Sequence, residues 1–226
     1  MHTQTKIKKE ILMKFGKEYF EDYAKGEQKT DMACYGLWQH EYYKCLDNVY
    51  HFNGKKVVDV GCAYGGFVLS CLLNDVDAYG CDISTYTTAE ERLIHPVLKG
   101  KLFSCPAHDM KCFEDNKFDV VISEQVLEHI PEEFAEKSIS EIMRITKPGG
   151  HIRCSGIFGA KPPVSYVDDP THINIQPLQY WKNLFEKYGG VDEYAFFYFR
   201  LIDSKYNGKS MQATYNWPLL LYTKKG

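Results

Sequence analysis

Apolar residues recur at helical spacing near the start of the chain: Ile7, Ile11, Leu12, Phe15, Tyr19, Phe20 and Tyr23, with lysines and acids between them. This predicts a helix over 6–25. A polar link, AKGEQKTDM, leads to a second predicted helix over Leu37–Tyr50. Neither stretch alternates as a strand does, so 1–53 reads as an α-helical lead-in or cap. From Lys55 short apolar runs alternate with helical stretches. Strands are predicted at Lys56–Val60, Ala78–Asp82, Leu102–Pro106, Phe118–Ser123 and His151–Ser155. Helices are predicted at Gly66–Leu73, Thr87–Leu98, Glu132–Thr146 and Leu178–Tyr188. KPGG follows the third of these, where proline cannot continue a helix and glycine suits a turn. Two last apolar runs, Ala195–Ile202 and Leu219–Thr223, are expected to pair antiparallel. The alternation defines an α/β fold over 54–226, a parallel sheet with right-handed crossovers.

Composition narrows the function. The 226 residues, 44% of them hydrophobic, support one sizeable core. A net charge of -3 provides no positive field, so neither nucleic acid nor a membrane surface is expected as a partner. The eight cysteines form no CxxC and mostly sit inside apolar runs such as SCLL and YGCDIS, so free thiols in a reducing compartment are expected. The first twenty residues lack the uninterrupted apolar stretch of a signal peptide, and a cytoplasmic protein is the expectation.

Chemistry concentrates in VVDVGCAYGGF, Val57 to Phe67. An apolar strand ends beside an acid, Asp59, and the chain then turns through Gly61, Gly65 and Gly66. A glycine turn between strand and helix is a common nucleotide cradle. Gly61, Ala63 and Gly66 fit G-x-G-x-x-G with alanine at the middle position, and Asp82 could bind a ribose hydroxyl, which on its own suggests NAD. A tight turn that only packs helix on strand fits the glycines as well. Asp59 weighs against NAD: a carboxylate there would repel a pyrophosphate at the helix N-terminus. It suits a ligand with an ammonium group and no phosphate, such as S-adenosylmethionine.

VVDVGCAYGG, the acid of YGCDIS, HDM, FDVVISEQVLEHI and EIMRITKPGG, in this order, together resemble a class I S-adenosylmethionine-dependent methyltransferase. DPTHINIQPLQYWKNLFEKYGG resembles a downstream segment of that superfamily. The resemblance implies a Rossmann-like seven-stranded sheet, mostly parallel with its last strand antiparallel, and helices on both faces. It implies S-adenosylmethionine as cofactor and S-adenosylhomocysteine as product. Gly61, Cys62, Ala63 and Gly65 would lie along the methionine part, with Asp59 near them. Asp82, with Ile83 beside it, would accept the ribose hydroxyls. Asp109 would accept from the adenine amino group, His108 would flank it, and Met110 would pack on the ring and offer its amide. Ser123 and Glu124 would meet the methionine amino group.

For the acceptor, His172 in DPTHIN is the first candidate base and His129 in LEHI the second, though either histidine could simply brace its loop. Some members of the superfamily hold a divalent cation through E-x-x-E-H; half of that carboxylate set is missing here, and no metal is expected. Tyr19, Phe20, Tyr23, Tyr35, Trp38, Tyr42 and Tyr43 suit core or cap packing, with one or two touching the cofactor. The expected acceptor is a small molecule or sugar, methylated at oxygen. N-methylation and a non-catalytic cofactor-binding subunit stay open, and a homodimer fits the same reading.

Overall fold

A computed structural model describes residues 15, 17–20, 32–159, 169–193, 205–206, 209–210 and 219–226. Its elements run α1 (Met32–Tyr50), β1 (Lys56–Val60), α2 (Gly66–Leu72), β2 (Asp77–Asp82), β3 (Leu102–Ser104), β4 (Phe118–Glu124), α3 (Glu132–Ile145), β5 (Thr146–Ser155), α4 (Leu178–Lys187), β6 (Gly190–Asp192), β7 (Lys205–Tyr206), β8 (Lys209–Ser210) and β9 (Leu219–Lys224). Seven strands form one sheet in the order β3-β2-β1-β4-β5-β9-β6, while β7 and β8 pair with each other. Strands β3, β2, β1, β4 and β5 are parallel, and β9 runs antiparallel to both β5 and β6.

Alternation along the central strands divides the core in two. Val57, Val120 and Ile122 point to one face, where Tyr42, Leu46 and Val49 of α1 and Phe67, Val68 and Cys71 of α2 pack. Val58, Val60 and Val121 point to the other, against Ala135, Ile139 and Ile142 of α3 and Trp181 and Phe185 of α4. Fully burying one such aliphatic side chain contributes about 1.5–3 kcal/mol, so the two layers fasten the sheet to both helix pairs. The α1 residues share their core with β1.

Three expectations need correction. Thr87–Leu98 is two 3-10 turns, Glu90–Arg92 and Pro96–Leu98, and not one helix. Proline lacks the N–H and forces His95 into an extended conformation (φ -156°), while the Ser84 hydroxyl accepts the amides of Tyr86 and Thr87 upstream. KPGG lies inside β5, which begins at Thr146. The cysteines are not all free: Cys105 and Cys112 are joined, their sulfurs 2.12 Å apart, across the loop after β3. Cys45, Cys62, Cys71, Cys81 and Cys154 are free and buried. Most of the helix expected at 6–25, and the strand expected at Ala195–Ile202, lie outside the described residues. The partner strands of Leu219–Lys224 are β5 and β6.

Candidate active site

Strand order reverses between β1 and β4, and a crevice opens there beyond the carboxyl ends of the parallel strands. It deepens into a cavity of about 480 Å³. Its floor is the β1–α2 loop. Gly61 sits at φ 85° with its Cα against Val126, where a Cβ would come within 2.2 Å of a valine methyl. Only glycine fits that approach. Ala63 also takes a left-handed conformation, φ 46°, without that freedom. Asp59, Gly61, Cys62, Ala63, Asp82 and Ile83 all line the cavity.

Two carboxylates at strand ends face this floor in different states. Asp82 is buried and caps two amides, accepting from Ala63 at 2.9 Å and from Ser84 at 2.8 Å. Each oxygen keeps a second lone pair for a ligand hydroxyl. Burial raises its carboxyl above the usual range, against the pull of those amides. Asp59 has no such donors; burial first, then the charges of Glu124 and Asp82, push it up to about 8. A cationic group in the cavity would draw the proton off Asp59.

Glu124, at the end of β4, lines the same cavity and is anchored from below. Arg153 of β5 is 1% exposed, places its Nε 3.0 Å from Glu124 Oε1 and donates to the Tyr42 hydroxyl at 3.1 Å. The Ser155 hydroxyl donates to the other oxygen of Glu124. The cavity floor therefore carries acids with one buried cation behind them. No phosphate is favoured in such a field.

The loop after β3 contributes Cys105, Pro106, Ala107 and His108 to the wall, with His108 stacked on Phe134 at 4.2 Å between centroids. Met110 departs from its expected role. It is fully buried, its amide donates to Glu141 Oε2 at 2.9 Å, and neither ring packing nor that amide is open to a ligand. Asp109 lies off the cavity beside Lys111, their charged atoms 3.0 Å apart. Ser123 is buried with its hydroxyl donated to the Val60 carbonyl at 3.1 Å, and Gly65 serves the start of α2. The structure places these four outside the cavity lining.

Aromatic residues complete the lining. Phe15, Tyr19, Phe20 and Tyr42 line the cavity; Phe20 meets Tyr64 edge-on at 5.6 Å and Phe15 meets His129 likewise at 5.6 Å. Tyr43 is core. Helical periodicity named Tyr19, Phe20 and Tyr42 as packing residues with a chance of contact, but no pattern distinguishes them from Tyr43.

The two histidines do come together. The Glu128 carbonyl accepts the amides of Ile173 and Asn174, both at 3.0 Å, which docks the loop after β5 on the turn after β4. The imidazoles of His129 and His172 then lie 4.7 Å apart between centroids. Asp169, which sequence spacing did not single out, joins them: its Oδ2 lies 3.8 Å from His172 Nε2 and its Oδ1 accepts from the Thr171 hydroxyl at 2.5 Å. Burial, with His172 beside it, lowers His129 to about 4, so this imidazole is neutral at neutral pH. Burial opposes ionisation of Asp169, but the Thr171 hydroxyl and amide hold its carboxyl below the usual range.

A model of the methyltransferase domain family matches residues 58–154. A ubiquinone biosynthesis O-methyltransferase of Aliivibrio fischeri is 30% identical over 156 residues, covering 62% of this chain and 65% of that protein. A phosphoethanolamine N-methyltransferase of Triticum aestivum is 26% identical over 216 residues, covering 92% of this chain and 43% of that protein. A crystal structure of an S-adenosylmethionine-dependent methyltransferase from Archaeoglobus fulgidus superposes with a TM-score of 0.58 at 22% identity, covering 77% of this chain and 75% of that one. Residues 58–154 match the methyltransferase domain, and these likenesses support the class I S-adenosylmethionine-dependent methyltransferase superfamily that the sequence resembles. The chain spans less than two thirds of the length of these curated relatives. Among the described residues, no helix is long and apolar enough to cross a membrane.

Proposed function

We propose that this chain transfers a methyl group from S-adenosylmethionine to a small-molecule or sugar acceptor, at oxygen. The observation that carries the reading is one continuous cavity with two chemically different sides. Asp59, Asp82 and Glu124 make the floor acidic, which fits a sulfonium ligand with an ammonium and ribose hydroxyls. His129, His172 and Asp169 face the same space and fit an acceptor that must lose a proton. When bound, the cofactor supplies a methyl already activated on sulfur. The protein's part is to align the acceptor, exclude water and receive its proton, and alignment alone can contribute about 7–11 kcal/mol. His172 is the proposed base, because Asp169 beside it would steady an imidazolium.

A second reading, N-methylation, is favoured by one observation: the match to the phosphoethanolamine N-methyltransferase runs over 92% of this chain, lead-in included. A neutral amine needs no base at His172. Incubation with methyl-deuterated S-adenosylmethionine and pooled small metabolites, with products assigned by NMR, decides between them. A deuterated O–CH3 supports the proposal and N–CH3 the second reading. Cofactor binding without any labelled product would leave a non-catalytic subunit as the better account.

A further inference from the structure

His129 and His172 line the cavity and Glu128 lies behind them, with one potential donor atom of each within 4.8 Å of the other two. Glu128 is fully buried. Its Oε1 accepts the Ile157 amide at 3.2 Å, while its Oε2 has no hydrogen-bond partner. A buried carboxylate oxygen without a donor is costly, and a cation beside it would offset that cost.

His129 is already set up as a ligand. The Thr171 hydroxyl gives its single hydrogen to Asp169, so it accepts from His129 Nδ1, 2.9 Å away. The Thr171 carbonyl, 3.2 Å from the same nitrogen, can only accept. Nδ1 therefore carries the hydrogen and Nε2 the lone pair. Imidazoles that bind metal are oriented in this way, by an outer hydrogen bond through the non-ligating nitrogen.

We propose that Glu128, His129 and His172 form a site for one divalent transition-metal ion on the acceptor side of the cavity. Two imidazoles and one carboxylate suit zinc or cobalt better than calcium or magnesium, which take oxygen ligands. Bonds of about 2.0–2.2 Å would draw each donor inward by less than about 1 Å, within reach of side-chain rotation. Three protein ligands leave a position open, which an acceptor oxygen in the cavity would fill. This differs from E-x-x-E-H, because the third donor is an imidazole brought by a separate loop, which is why the sequence predicts no metal. The catalytic meaning rests on the function proposed above: His172 takes the acceptor proton in the ion-free protein, and an ion bound there would instead lower the pKa of the acceptor oxygen. Binding itself does not depend on that function.

The test is a titration of the chelator-stripped full chain with Co2+, followed by visible absorption and by displacement with Zn2+. One equivalent is expected to bind. Glu128→Gln, which keeps an oxygen for the Ile157 amide, and His172→Ala should each weaken binding by about 10–100-fold or more, the range known for far gentler changes around metal ligands. His95→Ala, remote from the cavity, should leave it unchanged. A wild type without a one-equivalent site overturns the proposal, as does equal affinity in the Glu128→Gln and His172→Ala proteins. S-adenosylmethionine binding to the same stripped protein separates the two claims: retained cofactor binding without a Co2+ site refutes the metal alone.

Discussion

Asp82 Oδ2 accepts the Ala63 amide at 2.9 Å, so the acid ending β2 holds the loop that follows β1 in its left-handed turn. One side chain thus shapes the floor of the cavity and offers lone pairs to what sits on it. Asp82→Ala should lower S-adenosylmethionine affinity by roughly 1.5–3 kcal/mol, the worth of hydrogen bonds to a charged acceptor. It should also lower the melting temperature of the ligand-free protein by a few degrees, because two buried amides lose their acceptor. Calorimetry and thermal melting of the same variant check both. Wild-type affinity in a variant with a lowered melting temperature would leave Asp82 a purely structural residue.

Asp59 gives the fold a pH dependence of defined sign. Its carboxyl is held to about 8 in the folded protein, against 3.8 for an ordinary aspartate. Between those values the folded state binds one proton more than the unfolded state, so stability falls as pH rises through that window. Asp59→Asn removes the ionisable group and with it this slope. Denaturant unfolding at pH 5 and pH 8 should show the wild type losing more stability than the variant. Parallel behaviour of the two proteins would mean that Asp59 ionises freely.

Arg153 and Glu124 form an ion pair under the cavity, with the guanidinium 1% exposed. Arg153→Met should cost about 3–5 kcal/mol of folding stability, since it leaves a carboxylate without its buried cation. Adding Glu124→Gln should recover much of that loss, because the uncompensated charge disappears. Urea unfolding of the three proteins measures the cycle. Additive losses would show that the two side chains act independently.

The sheet was readable because its strands are short apolar runs whose ends carry acids, as at Asp59, Asp82 and Glu124. Local pattern also placed α3 and α4, where apolar residues keep helical spacing. It failed at Thr87–Leu98, where side-chain hydroxyls and Pro96 win over helical periodicity. Contact across the fold is what sequence spacing lacks. Nothing local separates His108, on the cavity, from Asp109 and Met110, which turn away from it. Likewise Asp169 and Thr171 acquire meaning only when the Glu128 carbonyl docks their loop beside His129.

His172→Ala should lower turnover by about 10²–10⁴-fold if the acceptor loses a proton in the reaction. Affinity for S-adenosylmethionine should stay near wild type, because the proposed cofactor contacts are Asp59, Asp82 and Glu124 and not His172. Steady-state kinetics with the identified acceptor, beside calorimetry, separates the two effects. Unchanged turnover would assign His172 to loop bracing and favour an amine acceptor.

Calorimetric titration of the wild-type chain with S-adenosylmethionine and, separately, with NAD tests the central claim most directly. The acidic floor at Asp59, Asp82 and Glu124 predicts one equivalent of S-adenosylmethionine bound, displaced competitively by S-adenosylhomocysteine, and no heat from NAD. Stoichiometric NAD binding with S-adenosylmethionine silent would contradict the account.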